Sequence, residues 1–386
     1  MICSLSIRRA ASWLPCMLLA ACAAPPVEVP DYLLRDELFA APVGRVSADD
    51  LFALSDEMRR FANTEIAAKL RMSGRPRGLF EALYSRGHLR VEYDAAVTRT
   101  ASQAFAAEAG NCLSLAVMTA AFAKELGIRV RYQAALDEAF WSRSGDLYVR
   151  NGHVNLMLGS SVNDIGASRY EQQVIVDFLP PEDLRGLRTR PIGEPTVVAM
   201  YMNNRATESL VDGRLDDAYW WVRGAIHADP GFDKAYNTLG VIYHRHNDLP
   251  QAERAFRYVL ERHQASTAAL SNLTQLLLEQ RRGAEADALH RELARFEPDP
   301  PFFFFNLGQQ AMARGDFKAA RDLFAKEVSR DPYYHEFHFW LAVADFRLGD
   351  NERARKHLEL ALENSTTRRD RDLYAAKLAW IRAHTH

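Results

Sequence analysis

Small and apolar positions in the C-terminal half of the chain recur in one frame of 34 residues, with charged and polar residues between them. One position of the frame is always alanine: Ala218, Ala252, Ala286, Ala320 and Ala354. Another is small, as expected where a second helix approaches closely: Ala206, Gly240, Thr274, Gly308 and Ala342. Pro230, Pro298 and Pro332 fall where a second helix should stop, because proline lacks the amide donor of a helical residue. The pattern predicts five helical pairs over about residues 199–368, and a capping amphipathic helix around residues 373–381.

This period and pattern resemble the tetratricopeptide repeat (TPR). The resemblance implies an all-α solenoid over residues 196–386, in which the first helices line a concave groove that binds a peptide or a partner protein. The groove candidates in this frame are Asn203, Asn237, His244, Arg245, Phe305, Met312, Phe339, Phe346 and Arg347. The run from Phe302 to Phe305 is more typical of packing between repeats, because consecutive helical residues cannot all face one groove.

The N-terminal half has a mixed pattern. Ser47 can cap a helix with Asp50 at its third position, and an apolar face then follows: Leu51, Leu54, Met58, Phe61 and Ile66. The stretch from Cys112 to Leu126 is apolar on most faces and predicts a central core helix that begins at the cysteine. Three short segments predict strands: residues 129–133, 153–158 and 174–178.

Cys112, His153 and Asp177 have the residue types of a cysteine triad. A thiol at a helix N-terminus lies at the positive end of the helix dipole, which favours the thiolate. The last two predicted strands are natural antiparallel neighbours, so they can place His153 beside Asp177, and the core helix can bring Cys112 to the imidazole. Taken singly, a buried free cysteine, a core histidine and an aspartate at a strand end are all common structural residues.

Three segments of this half resemble the core motifs of the transglutaminase-like superfamily: Gly110-Asn111-Cys112-Leu113-Ser114, His153-Val154-Asn155 and Val176-Asp177-Phe178. The resemblance implies an α+β papain- or transglutaminase-like domain, with a core helix packed on an antiparallel sheet. It also implies that Cys112 is the nucleophile, His153 the general base and then acid, and Asp177 the orienting carboxylate. The reaction would be acyl transfer from an amide, with hydrolysis slightly favoured over transfer to an amine.

Such a reaction needs hydrogen-bond donors where negative charge develops on the carbonyl oxygen. The backbone amide of Cys112 is a natural donor. Asn111, Gln103 and Trp141 are candidates for a side-chain donor, and the sequence does not choose among them.

The first residues resemble a bacterial lipoprotein signal. Arg8 and Arg9 precede a short apolar run that ends in Leu19-Ala20-Ala21-Cys22. We therefore predict a signal over residues 1–21, an acylated Cys22 with a proline-rich tether over 22–45, a catalytic domain over 46–195 and the repeats over 196–386. The expected location is the bacterial envelope, with a lipid anchor in the outer membrane facing the periplasm. Ordinary signal-peptidase cleavage near Ala20 to Ala24 is the alternative.

Cleavage and acylation would leave Cys112 as the free thiol of a chain that has four cysteines. The formal net charge of −2 and the small, interleaved basic clusters give no nucleic-acid footprint. The histidines do not combine with other ligands at metal-binding spacings, and no cofactor is predicted. The alternative function is an inactive envelope scaffold whose repeats assemble partner proteins.

Overall fold

The computed structural model describes residues 28–44, 47–84, 92–94, 97–135, 140–144, 147–159, 173–178 and 188–384. The predicted signal and lipidation site, Cys22 included, lie outside these ranges. Within them, no helix combines the length and apolar character needed to cross a membrane.

The described residues of the N-terminal domain form five α-helices and eight strands. The helices are α1 Asp56–Phe61, α2 Ala67–Ser73, α3 Arg75–Tyr84, α4 Ala101–Ala107 and α5 Cys112–Glu125, with a π-helical turn at Ala62–Ile66 between the first two. The strands are β1 Glu92–Tyr93, β2 Ala109–Gly110, β3 Val130–Ala135, β4 Phe140–Ser144, β5 Leu147–Asn151, β6 Val154–Leu158, β7 Val174–Val176 and β8 Thr189–Ile192.

The first helix begins later than the sequence predicts. Its N-cap is Ser55, whose hydroxyl accepts a hydrogen bond from the Met58 amide at 3.2 Å. Ser47 instead accepts from the Asp49 amide in a turn, so the predicted cap at Ser47 is wrong. The apolar face is still used, because Leu51, Met58 and Ile66 are fully buried.

Helix α5 forms the centre of this domain. Every residue from Leu113 to Ala123 is buried, as expected for a helix that is apolar on most faces. It packs on a small antiparallel sheet of four strands in the order β7-β6-β3-β8. The sheet places the strand that follows His153 directly beside the strand that precedes Asp177, with Leu156 opposite Val176.

The C-terminal half is a TPR solenoid of five antiparallel helix pairs followed by one capping helix. The helices are α6 Glu194–Val211, α7 Leu215–Ala228, α8 Asp233–Arg245, α9 Leu249–Arg262, α10 Thr267–Glu279, α11 Gly283–Phe296, α12 Phe303–Ala313, α13 Phe317–Arg330, α14 His335–Arg347, α15 Asn351–Glu363 and α16 Arg368–His384. This confirms the helical repeats that the 34-residue frame predicts.

Close packing explains the small position in that frame. A side-chain carbon added at Gly240 would lie 2.4 Å from the Phe256 ring, and one added at Gly308 would lie 2.5 Å from the Phe324 ring. Each ring comes from the second helix of the same repeat and is fully buried. The first helix of these repeats therefore needs glycine where the ring crosses it.

The second half of the predicted tether is docked on the repeats. Leu33 and Phe39 are buried, and the Phe39 ring stacks on Tyr219 with the ring centroids 4.0 Å apart. The Tyr243 hydroxyl donates to the Leu33 carbonyl at 2.6 Å, and the Asp36 carboxylate accepts from Tyr219. The burial of these apolar side chains fixes this part of the predicted tether on the repeats.

Candidate active site and peptide groove

Cys112 is the first residue of helix α5 and has an intermediate exposure. Asn111 caps the helix, with its side-chain oxygen accepting from the Ser114 amide and the Ser114 hydroxyl, both at 2.9 Å. The Asn111 amide group donates to Thr98 at 2.9 Å. The Ser114 hydroxyl also accepts from the Arg99 amide at 2.8 Å. These bonds fix the start of the helix and hence the position of the thiol.

The same bonds give Asn111 a capping role in place of the predicted role as an oxyanion donor. Gln103 is also committed elsewhere, because its side chain accepts from the Thr100 amide in the capping box of helix α4. It lines a separate cleft of about 340 Å³ beside Arg205 and Trp221. Trp141 belongs to strand β4, and its side chain lies outside the described part of the chain.

His153 and Asp177 meet at the edge of the sheet. Nε2 of His153 lies 2.8 Å from Oδ1 of Asp177, and both side chains are almost completely buried. The second carboxylate oxygen, Oδ2, accepts from the Asn155 side-chain amide at 2.7 Å. Asn155 follows His153 by two residues on the same strand face, so one strand supplies both partners of the carboxylate. The alternation of side chains along the strand is predictable from the sequence, but the role of Asn155 in positioning the Asp177 carboxylate is not.

The imidazole also interacts with the Cys112 side chain. Burial disfavours the charged imidazole, but its interactions with Asp177 and Cys112, including the negative charges of both groups, outweigh the cost of burial. Together they raise the pKa of His153 to about 9. Since Nε2 faces Asp177, Nδ1 is the ring nitrogen that remains for the sulfur. The structure thus brings the three predicted residues together in the order thiol, imidazole and carboxylate.

Tyr93 is a further residue of this site that the sequence did not indicate. Strand β1 runs parallel to β2, and the Asp94 amide donates to the Gly110 carbonyl at 3.1 Å, two residues before the thiol. The Tyr93 hydroxyl accepts a hydrogen bond from the backbone amide of Cys112. Burial and the charges of Cys112 and Asp94 raise the pKa of Tyr93, so its hydroxyl stays neutral. The amide that should stabilise an oxyanion is therefore engaged by Tyr93.

Replacing Tyr93 by phenylalanine is expected to increase the acylation rate of Cys112 by about 2- to 10-fold, because the amide no longer has to exchange one hydrogen bond worth about 0.5–1.5 kcal/mol. The rate of p-nitrophenol release from p-nitrophenyl acetate measures this step. Tyr32→Phe is a matched control, since Tyr32 is exposed and belongs to the docked N-terminal segment. A slower Tyr93→Phe variant would mean that the hydroxyl itself assists the reaction.

The first helices of repeats one to four line a groove of about 1500 Å³. Four of the predicted groove residues lie in its wall: Asn203, Asn237, His244 and Arg245. His244 is also bound to Glu279 at 2.6 Å, across the neighbouring repeats.

The predicted groove residues of the last two repeats do not line the groove. Phe305 is fully buried against Phe324 and Phe337, and Met312 packs against the same core. The capping helix α16 covers the two other aromatic rings, with Phe339 stacked on Tyr374 and Phe346 edge-on to Trp380. Arg347 lies 4.1 Å above the ring of Phe317. The residues that face the groove from α10 and α12 include four amide side chains: Asn272, Gln275, Asn306 and Gln310.

Among the described residues, no group of histidine, cysteine and carboxylate side chains could hold a metal ion. His338 and His357 are in contact at 3.1 Å, but the other ring nitrogen of His338 contacts a backbone carbonyl, and burial together with nearby cationic side chains lowers the pKa of His357.

The tetratricopeptide-repeat family model matches residues 235–300 and 305–368. Solved structures similar to the chain include pilF of Pseudomonas aeruginosa, with 19% identity over 50% of this chain and 87% of that one, at a TM-score of 0.30. A TPR protein of Thermus thermophilus has 17% identity over 47% of this chain and 99% of that one, at a TM-score of 0.31. YrrB, described as a TPR protein with an unusual peptide-binding site, has 19% identity over 47% and 92%, at a TM-score of 0.25. No curated protein matches the sequence. The repeats indicate protein–protein interaction as a function of the C-terminal half.

Proposed function

We propose that the TPR array binds a protein or peptide and that the N-terminal domain acts on it by thiol acyl transfer, in the manner of the transglutaminase-like superfamily. The observation that carries the chemical part is the placement of His153, which contacts Asp177 at 2.8 Å and interacts with Cys112. The resemblance of the three motifs supports the same assignment. The array supports the binding part.

In the proposed reaction, His153 takes the proton of the Cys112 thiol and becomes an imidazolium, which Asp177 stabilises. The thiolate attacks the carbonyl carbon of an amide, a carbon–sulfur bond forms, and the carbon–nitrogen bond then breaks. The imidazolium gives its proton to the leaving amine. Water, activated by the neutral imidazole, then cleaves the thioester to a carboxylic acid and restores the thiol. An amine in the place of water would give a new amide.

The raised pKa of His153 matters for the first step. An imidazolium whose pKa is about 9 persists at neutral pH and can hold a thiolate as an ion pair. The positive charge of His153 is lost as the pH rises through about 9, where the imidazole becomes neutral and the ion pair ends.

The test is alkylation of Cys112 by iodoacetamide across the pH range. We expect alkylation of the intact protein to be appreciable already at neutral pH, because the imidazolium of His153 can hold the thiolate. We expect a His153→Ala variant to react only at higher pH. Identical pH profiles for the two proteins would contradict the ion pair. Mass spectrometry of the Cys112 peptide separates this thiol from the cysteines near the N-terminus.

A second candidate is a scaffold whose N-terminal domain performs no chemistry. It is favoured by the family match, which lies in the repeats, and by the contact of Tyr93 with the Cys112 amide. Anchoring of the protein by an acylated Cys22 in the bacterial envelope is also a proposal. Labelling of the expressed protein with a palmitate analogue tests it, with Cys22→Ala as the comparison.

A further inference from the structure

The groove of the repeats reaches the catalytic domain. Its wall continues from the first helices of the array to Gly152 and His153 and to the end of strand β3 at Ala134 and Ala135. His153 therefore belongs both to the triad and to the groove. The two features that the sequence predicts separately meet at this residue.

No spacer separates the repeats from the triad at this point. A side-chain carbon added at Gly152 would lie 2.8 Å from Nζ of Lys234 and 3.5 Å from the terminal carbon of Met200. Lys234 belongs to helix α8 and Met200 to helix α6, so the first helices of two repeats abut the turn that leads into His153. A ligand lying along these helices arrives at Gly152 and His153.

The groove presents one asparagine from each of its four helices: Asn203, Asn237, Asn272 and Asn306. The Asn272 side-chain amide donates to the side-chain oxygen Oδ1 of Asn237 at 3.1 Å, so the side-chain amides of neighbouring repeats are within reach of each other. The side-chain oxygen of Asn203 is buried and has no hydrogen-bond partner among the described residues. An unpaired buried acceptor is costly unless a ligand or a water supplies a donor.

Amide side chains both donate and accept, as the peptide backbone does. Packed helices lie about 8–10 Å apart, which corresponds to roughly three residues of an extended chain at about 3.3 Å per residue. The wall contains charged residues of both signs: it includes Arg190 and Lys234 as well as Asp233 and Glu297. This mixture of charges gives no preference for a strongly anionic or cationic ligand. The wall thus suits the main chain of an extended polypeptide.

We infer that the groove and the triad form one continuous substrate site, in which the asparagines hold an extended polypeptide segment by its main chain and present its reactive amide to Cys112 from the side of His153. This inference rests on the proposed function and names its substrate class. The groove volume of about 1500 Å³ agrees with a peptide segment, since small-molecule sites occupy about 300–1,000 Å³.

The test uses the full chain and a pool of fluorescein-labelled random peptides of about 15 residues, long enough to follow the groove at about 3.3 Å per residue. Binding is measured by anisotropy in a Cys112→Ala variant, so that no reaction interferes. Protection is measured in the otherwise unmodified protein, as the decrease in the iodoacetamide rate at Cys112 when peptides are added up to about 1 mM.

We expect the peptides to bind and to slow alkylation of Cys112. The double variant Asn237→Ala/Asn306→Ala should bind them roughly 10- to 30-fold more weakly, since each lost hydrogen bond contributes about 1 kcal/mol. The double variant should also lose protection. Gln309→Ala is the matched control for Gln310→Ala, because both residues lie on α12 and only Gln310 lines the groove.

Binding without protection of Cys112 would overturn the continuity of the site, and so would protection that survives the asparagine substitutions. An absence of both binding and protection at the highest concentration would overturn the polypeptide assignment. These outcomes are independent of the proposed chemistry, because alkylation without peptide, compared between the intact protein and the His153→Ala variant, reports the triad alone.

Discussion

Replacing His153 by alanine is expected to slow acylation of Cys112 by about 10²- to 10⁴-fold, the range contributed by a positioned general acid or base. The imidazole is the group between the thiol and Asp177, and it is almost completely buried with the carboxylate. Its removal deprives the thiol of its proton acceptor and of the positive charge that holds a thiolate. Release of p-nitrophenol from p-nitrophenyl acetate, followed in the first turnover, measures acylation without requiring the groove to be occupied.

His290→Ala is the matched control, because His290 lies exposed on helix α11 of the third repeat. Its acylation rate should equal that of the intact protein. Asn155→Ala should give an intermediate loss, since it frees one oxygen of Asp177 while leaving the 2.8 Å contact with His153 possible. An acylation rate that is unchanged in His153→Ala would exclude the triad and leave the TPR scaffold as the function.

The structure differs from the sequence-based predictions where side chains depend on distant partners. The 34-residue frame predicted the helical pairs, because every repeat places the same position against the same neighbour. It misassigned Phe339 and Phe346 because helix α16, which covers them, follows the repeats and belongs to no frame. It missed Asn272 and Asn306, which lie one residue beyond the positions equivalent to Asn237.

The candidate site shows the same limit. Cys112, His153 and Asp177 were identifiable because each lies next to the helix or strand that places it. Tyr93 was not, since it reaches the Cys112 amide through a parallel strand pair whose partners are separated in sequence by helix α4. The role of Asn155 depends on the pairing of β6 with β7, which puts it opposite the continuation of β7 at Asp177.

The two halves of the chain also share more structure than the predicted boundary implies. One continuous apolar core extends from Leu33 and the N-terminal domain to Ala286 in the third repeat. Glu208 of helix α6 accepts from the Thr98 amide at 2.7 Å, and Thr98 in turn holds Asn111 at the start of α5. The first repeat thus supports the residues that position the thiol. Separation of the halves near residue 195 would therefore expose core residues of both.

Replacing Phe256 by alanine is expected to lower the free energy of unfolding by about 3–5 kcal/mol, as for other buried phenylalanines. The ring is 1% exposed and fills the space against Gly240. Gly240→Ala should also destabilise, by about 1–3 kcal/mol, because its new carbon would lie 2.4 Å from the Phe256 ring. The two effects are not additive, since they act on the same contact.

In the Phe256→Ala background the sign of the glycine substitution should reverse. Gly240→Ala should then stabilise by up to about 1 kcal/mol, because the clash has been removed and alanine is the better helix former. Urea unfolding of the four proteins, followed by circular dichroism, measures this cycle. Gly283→Ala is the control, since a carbon added there meets nothing within 4 Å and should be neutral or slightly stabilising. If Gly240→Ala is still destabilising in the Phe256→Ala protein, a contact other than the Phe256 ring requires glycine in the first helix of the repeat.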